Sequence, residues 1–248
     1  MLFRSLNRVN VAPHTTRRFA FAARLLYIID TFVYSIDMDS FARELSARIS
    51  TLRLSHGQAI QVLRDTRLAE SVSASALDAM IKKLRREGVP FAADELGDYQ
   101  WEEIVYRYEH IIELAVALKM QSDGMSFRHV VALLTKYRNK LRKFYREALL
   151  EARSGRGADH SLKNPAQQPG ELAQIKISGL YLDFRATYHN GVIGSPGPEL
   201  LGPWKALERF MAYYDGLYPM PLIMLSQICE RVFQIAEATP PVKRGRKA

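Results

Sequence analysis

From Ser40 onward, apolar residues recur at intervals of three and four positions, and the breaks between these runs fall where small and polar residues gather. This spacing is typical of amphipathic helices, because 3.6 residues make one turn and one stripe of side chains then faces the core. The pattern predicts helices over 40–50, 55–65, 73–87, 101–121, 126–153, 204–214 and 220–238. The predicted fold class is therefore mainly α.

Local composition divides the chain into five segments. Residues 1–50 hold a basic and apolar N-terminal segment with a lead-in helix, and residues 51–153 hold a helix-turn-helix pattern that ends in a long basic helix. Residues 154–170 are rich in Gly, Pro, Ser and Asn, which predicts a flexible linker. Residues 171–238 are predicted to form a smaller α-rich module with many aromatic side chains, and residues 239–248 a disordered basic tail.

The first 37 residues differ from the rest, because they carry five arginines with no acid before Asp30. The apolar run that follows is interrupted by Arg24 and Asp30 and is too short to cross a bilayer, so no membrane span is predicted. One interpretation is a targeting segment. The favoured one is that Met38 is the true start, with the preceding stretch as extra translated sequence or a loosely docked helix.

Charge points to a polyanionic partner, since 35 Lys and Arg residues against 26 Asp and Glu give the 248-residue chain a formal net charge of +9. Nucleic acid is the first candidate and an anionic membrane surface the second. A single cysteine, Cys229, excludes an internal disulfide and favours a reducing compartment, so the predicted location is cytoplasmic and nucleoid-associated. The scattered histidines show no metal-binding spacing, and no metal is predicted.

No enzyme class finds support in the sequence. The chain lacks the G-x-x-x-x-G-K-[ST] phosphate loop, the G-x-G-x-x-G dinucleotide fingerprint and the G-x-S-x-G nucleophile elbow. Glu102 and Glu103 are neighbours on a predicted helix, so they do not face one another as an acid and base pair. We therefore predict a protein without catalytic residues or cofactor.

The stretch LAESVSASALDAMIKKLRREGVPF (Leu68 to Phe91), followed by YRYEHIIELAVALKMQSDGMSFRHVVALL (Tyr106 to Leu134), carries the most informative motifs. In the second half, Gly124 is placed to end a helix and Ser126 to cap the next one. Together these stretches resemble the winged helix-turn-helix of MerR-family transcription regulators. The resemblance implies a dimeric DNA-binding regulator.

If the predicted helix 73–87 enters a DNA groove, its early residues meet base edges and its later cations meet phosphates. The residues implied for the groove are Ser73, Ser75 and Asp78, and those implied for phosphates are Lys82, Lys83, Arg85 and Arg86. The alternative is that this basic run is an ordinary solvated helix face. Two features depart from the family: the helix is about one turn longer, and the expected wing, Ala92 to Tyr99, holds acids at 94, 95 and 98 that would repel phosphate.

The long helix 126–153 has apolar residues at alternating spacings of four and three, which is the pattern of a coiled-coil seam. This heptad seam consists of Val130, Leu134, Tyr137, Leu141, Phe144 and Ala148. MerR-like proteins dimerise through a helix in this position, so the resemblance implies a homodimer and a pseudo-palindromic DNA site. The alternative is that the same stripe packs within its own domain.

The C-terminal regions add two weaker predictions. The family resemblance places a small-molecule effector site after the coiled coil, but the aromatic stripe of residues 171–238 is more often core than pocket, so no effector is identified. The tail is expected to contact phosphates through Lys243, Arg244, Arg246 and Lys247.

Three functional classes remain open from the sequence. The first is a DNA-binding transcriptional regulator whose specific partner is double-stranded DNA. The second is a DNA-associated accessory protein, in replication, partition or a mobile element, with little sequence preference and a steep salt dependence. The third is a helical adaptor whose basic faces bind an acidic partner or a membrane surface.

Overall fold

The computed structural model describes residues 39–68, 72–92, 95, 104–154, 179–184, 188–189, 192–193, 197–212 and 222–240. Within them the protein is mainly helical, with a small sheet. The helices are α1 (39–51), α2 (His56–Asp65), α3 (Ala74–Arg86), α4 (Tyr108–Ser122), α5 (Phe127–Arg153), α6 (Pro203–Ala212) and α7 (Leu225–Ala238). The strands are β1 (Tyr181–Asp183), β2 (Tyr188–His189), β3 (Val192–Ile193), β4 (Glu199–Leu201) and β5 (Leu222–Met224).

Contacts divide the chain into two compact units, Met1–Ser46 and Ala47–Ala248. In the first unit the described residues are the opening turns of α1, where the Arg43 Nε donates a hydrogen bond to the Asp39 carbonyl at 3.1 Å. Among the described residues, no helix combines the length and apolar character needed to cross a membrane.

Serine side chains start three of the helices. The Ser55 hydroxyl accepts from the Gln58 amide while the Gln58 side chain accepts from the Ser55 amide, which forms a capping box on α2. Ser73 caps α3 and Ser126 caps α5 in the same way, by accepting from the amide three residues ahead. Gly124 lies just after α4 with φ +90°, a conformation that favours glycine, and it ends that helix where the sequence predicted.

The core is built by α4, α5 and α7, which pack against one another, with α2 contacting both α4 and α7. Helix α4 is buried on nearly all sides, as Ile111, Leu114 and Val116 show by having no exposed surface. A helix that is apolar all round is typical of the centre of a bundle. Burial of each such side chain stabilises the fold by about 1.5–3 kcal/mol.

Helix α7 corrects the predicted division into a domain at 51–153 and a separate module at 171–238. Its apolar stripe, which includes Val232 and Phe233, is buried against α2, α4 and α5, so residues Ala47–Ala248 form one compact unit. The composition of residues 154–170 suggested a boundary because it interrupts the helical pattern. The composition of this segment does not indicate whether the residues that follow it pack in the same core or form a separate one.

A three-stranded sheet also departs from the α-rich prediction for the C-terminal region. Strand β1 pairs antiparallel with β4 and with β5, so that Tyr181 lies opposite both Leu201 and Met224. A second antiparallel pair joins β2 and β3. These strands are two or three residues long, which is too short for the alternating pattern that identifies a strand in sequence.

The heptad seam is part of this core, which corrects its assignment to a dimer interface. Four of its residues have no exposed surface because α4 and α7 cover them, namely Val130, Leu134, Leu141 and Ala148. The other two, Tyr137 and Phe144, lie half-buried at the edge of the stripe. A coiled coil through this seam would require opening the core of each copy, so the alternative of packing within its own domain is the one observed.

Candidate nucleic-acid interface

Helix α3 is amphipathic, and one of its faces packs against the core. Leu77, Ile81 and Leu84 have no exposed surface. The opposite face carries side chains at spacings of four, three and four, and each of them is exposed: Ser75, Ala79, Lys82 and Arg86. The exposed face therefore has short side chains in its N-terminal half and cations in its C-terminal half.

The predicted groove residues divide into two open serines and one engaged acid. Ser73 and Ser75 are exposed in the first turn, with their hydroxyls 3.1 Å apart. Asp78 is held by two partners, since its Oδ1 lies 2.7 Å from the His56 Nε2 and its Oδ2 accepts from the Lys82 Nζ at 2.7 Å. These contacts, with the Lys82 hydrogen bond first, lower the pKa of Asp78. Asp78 thus connects α3 to α2 and is not open for contact with a base.

Arg85 corrects the prediction that the whole basic run faces phosphate. Its side chain lies on the flank of the buried stripe, only 6% of the residue is exposed, and its Nη1 donates to the Tyr106 hydroxyl at 3.4 Å. A helix with 3.6 residues per turn cannot place Lys82, Lys83, Arg85 and Arg86 on the same face. The structure therefore separates Arg85 from the exposed cations.

Lys83 and Arg86 remain on the outer surface. The Lys83 ammonium lies 4.2 Å from the centroid of the Phe127 ring at the start of α5, a favourable cation–π distance. Arg86 is exposed and has no ion-pair partner among the residues that the structure describes. These two cations, with Lys82, form the positive part of the α3 surface.

A short backbone bridge braces α3 from the side. Leu54 and Tyr106 exchange hydrogen bonds of 2.9 and 2.8 Å, which brings the residue before α2 beside the residue before α4. The Tyr106 hydroxyl lies 3.0 Å from the His56 Nδ1 and accepts the bond from Arg85. Burial, opposed by Arg85, raises the pKa of Tyr106. This phenol therefore joins α2 and α3 at one point.

The expected wing is described at only two of its residues, Ala92 and Glu95; the acids at 94 and 98 lie outside the described residues. Glu95 accepts two hydrogen bonds from Arg142 of α5, at 2.6 and 2.7 Å, and a third from the Ala92 amide at 2.9 Å. Burial alone would raise the pKa of Glu95, but these bonds outweigh it and lower the pKa to about 2. This acid is satisfied within the fold.

A ladder of ion pairs between α4 and α5 was missed by the sequence analysis. Arg138 contacts Glu113 at 3.1 Å, and Arg146, four residues beyond Arg142, contacts Glu109 at 2.6 Å. The arginines recur every four residues along one edge of α5, and the glutamates every four residues along α4. Two acids within an otherwise apolar helix were the available signal, because buried carboxylates require partners.

The ladder also holds the residues that follow α3. Arg138 donates to the Gly88 carbonyl, and Arg142 donates to the Pro90 carbonyl at 3.1 Å. Gly88 itself ends α3 with φ +82°, and its amide bonds to the Arg85 carbonyl at 3.0 Å. The C-terminal end of the candidate DNA-binding helix is therefore anchored to α5 by two guanidinium groups.

Burial shifts the pKa values of two titratable groups near the ladder, Glu113 and His110, in opposite directions. The Glu113 side chain is 1% exposed, and burial outweighs the attraction of Arg138 and Arg142, so its pKa rises to about 7. Burial also lowers the pKa of His110 to about 4, against the attraction of Glu95. Glu113 is therefore the carboxyl group of this cluster whose charge changes near neutral pH.

Among the described residues, no group of three or more His, Cys, Asp or Glu side chains is placed to hold a metal ion. The basic tail residues Lys243, Arg244, Arg246 and Lys247 lie outside the described residues. An open groove between α5 and α6, lined by Lys140, Phe144 and Lys205 among others, carries charges of both signs.

Comparison of the chain with protein-family models, with curated proteins and with solved structures found no match.

Proposed function

We propose that this protein binds double-stranded DNA by placing the exposed face of α3 in the major groove, and that it acts as a MerR-like transcription regulator. The observation that carries the proposal is the division of α3 into a face buried through Leu77, Ile81 and Leu84 and an opposite face with exposed cations. The major groove admits one α-helix, and recognition helices present their N-terminal residues to base edges.

The exposed residues of α3 suit the two kinds of contact that such a helix makes. Ser75 and Ala79 are short, so the helix axis can approach the base edges closely; a serine hydroxyl bonds to several bases, and an alanine methyl contacts the thymine methyl. Lys82, Lys83 and Arg86 lie one to two turns further along and suit phosphate contacts. Arg85 is removed from this set by its burial.

The surroundings of α3 support a winged helix-turn-helix interpretation. Helices α2 and α3 pack together, and the Leu54–Tyr106 bridge joins the chain just before α2 to the chain just before α4. The connection over residues 66–73 is longer than the three or four residues usual in this motif. A homodimer would place two α3 helices on a pseudo-palindromic site, and its interface would lie outside the heptad seam.

Fluorescence anisotropy with duplex DNA across a salt series tests the proposal. We expect salt-sensitive binding that weakens in a Lys83→Ala/Arg86→Ala variant, with the salt slope reduced by about 1.8 if each cation contacts one phosphate. A Lys140→Ala/Lys143→Ala variant removes the same charge from an exposed edge of α5 and is the matched control. Equal losses in both variants, or no binding by the wild type, would overturn the proposal.

Selection from a random duplex pool then distinguishes the regulator from the accessory protein of the sequence analysis. A regulator enriches one site, and Ala79→Asn changes that site because the new amide can bond to adenine. Binding that is steep in salt but enriches no sequence would favour an accessory protein with little sequence preference.

A further inference from the structure

The C-terminal end of α3 is held by hydrogen bonds to two arginines of α5, Arg138 and Arg142. After α3, the amides of Gly88 and Val89 bond back to the carbonyls of Arg85 and Leu84 at 3.0 and 2.9 Å. The next carbonyls point to α5, where Gly88 O accepts from Arg138 and Pro90 O accepts from Arg142 at 3.1 Å. The position of the C-terminal end of α3 therefore depends in part on where these two guanidinium groups lie.

One carboxylate on α4, that of Glu113, lies beside both guanidinium groups, and Arg142 is also bound by Glu95. The Glu113 Oε1 accepts from the Arg138 Nε at 3.1 Å, and its Oε2 lies 3.8 Å from the Arg142 Nε. Neither Glu113 Oε2 nor Arg142 Nε has a hydrogen-bond partner among the described residues. The attraction between Glu113 and Arg142 is thus carried by charge, and it depends on Glu113 being ionised.

We propose that Glu113, Arg138 and Arg142 are positioning residues for DNA binding by α3, and that ionisation of Glu113 raises the affinity of that helix for duplex DNA. The proposal rests on the proposed function, because it concerns regulation of the same surface. Arginines keep their charge at all pH values of interest. Protonation of Glu113 therefore leaves Arg138 without its anion, so the anchor on Gly88 weakens, while Arg142 loses one of its two anions and keeps its bonds to Glu95.

Of the charged groups around Glu113, Glu113 is the one whose charge changes between pH 6 and 8. Arg138, Arg142 and the buried Tyr145 face it from α5, Glu95 adds a negative charge from the segment after α3, and His110 lies one turn earlier on α4. Glu95 has a pKa of about 2 and His110 of about 4, so both hold one charge state from pH 6 to 8. The raised pKa of Glu113, about 7, falls inside that interval.

Glu113→Gln tests the proposal, because glutamine has nearly the same shape and copies the uncharged form. Glu147→Gln, at an exposed position on α5, removes the same charge and is the matched control. We expect the Kd of Glu113→Gln for duplex DNA to match that of the wild type at pH 6 and to be weaker by about fivefold or more at pH 8, the lower range of coupling between sites. The control should show one constant ratio to the wild type at both pH values.

Hydrogen exchange of the amides from Leu84 to Phe91 gives a second readout that needs no DNA. We expect faster exchange through local opening of this segment, and not through global unfolding, in Glu113→Gln than in the wild type at pH 8, after correction for intrinsic rates, and equal exchange at pH 6. Arg138→Lys, which keeps the charge but cannot bond to Gly88 and Glu113 through one planar fork, should exchange faster at both pH values.

The two readouts separate the two proposals. Wild-type protein that binds no duplex DNA, with the exchange difference still present, would overturn DNA binding and retain the positioning role of Glu113. A Kd ratio that is the same at pH 6 and pH 8, or exchange that does not differ between Glu113→Gln and the wild type, would overturn the positioning role.

Discussion

Replacing Glu113 by glutamine should make the protein more stable, relative to the wild type, as the pH rises from 4.5 to 7. The pKa of this carboxyl moves from its ordinary value of 4.5 to about 7 in the fold, because burial penalises its charge more than Arg138 and Arg142 reward it. Between these two values the folded protein binds more protons at Glu113 than the unfolded chain does. The wild-type free energy of unfolding therefore falls with rising pH over this interval.

The size of the effect follows from the width of the interval. Each pH unit changes the free energy by about 1.36 kcal/mol per proton, so the full interval corresponds to about 3 kcal/mol. In the wild type this fall is masked by His110, whose pKa drops from 6.5 to about 4 and whose contribution rises with pH between those values. When the free energy of unfolding of the wild type is subtracted from that of Glu113→Gln, the contribution of His110 cancels, since both proteins contain it.

Urea unfolding followed by circular dichroism at pH 4.5, 5.5, 6.5 and 7.5 measures this difference. We expect the free energy of unfolding of Glu113→Gln minus that of the wild type to rise by about 3 kcal/mol across the series. The same difference for Glu147→Gln should stay flat, because that side chain is exposed. A flat or falling difference for Glu113→Gln would show that the two arginines fully stabilise the buried charge and would refute the reasoning.

Three further predictions test other parts of the structure. Leu134→Ala should lower the free energy of unfolding, measured with urea, by about 2–5 kcal/mol, because this residue lies in the core. In sedimentation the variant should keep the oligomeric state of the wild type; a changed state would restore the heptad seam as an interface. Gly124→Ala and Gly197→Ala each place a methyl group at positive φ, which costs about 1–2 kcal/mol of stability. Thermal unfolding should show the larger loss of stability for Gly197→Ala, because at that position the new carbon lies 2.8 Å from the Tyr137 ring. Equal losses of stability in the two variants would contradict that contact. Asp78→Asn should steepen the salt dependence of DNA binding by about one phosphate contact by releasing Lys82, and an unchanged slope in the anisotropy assay would show that the bond to Asp78 does not keep Lys82 from the phosphates.

The helix ends could be predicted from the sequence because their signals are local. Ser126 caps α5, and Gly124 ends α4 at a positive φ, as their positions before and after apolar stripes indicated. Each signal involves a side chain and a backbone group within four residues of one another. The short strands carried no such signal, and their pairing joins residues as far apart as Tyr181 and Met224.

The role of the heptad seam could not be predicted from its spacing. A stripe at alternating spacings of four and three is equally suitable for a partner chain and for the chain's own helices. What decides is whether another element covers the stripe, and α7 does so from the far end of the chain. Val232 and Phe233 of α7 were assigned to another module, so the stripe was left without an intramolecular partner in the sequence analysis.

Charge was the least predictable property, since one helix carries cations with opposite roles. Arg138 and Arg142 of α5 bind buried or half-buried carboxylates, whereas Lys140 and Lys143, on another edge of the same helix, are exposed. The net charge of +9 counts all of them alike. Only the exposed cations are open to a polyanion, which is why the candidate DNA surface narrows from a basic run to Lys82, Lys83 and Arg86 on α3. Arg138, Arg142 and Arg146 of α5 instead bind glutamates and hold that helix in place.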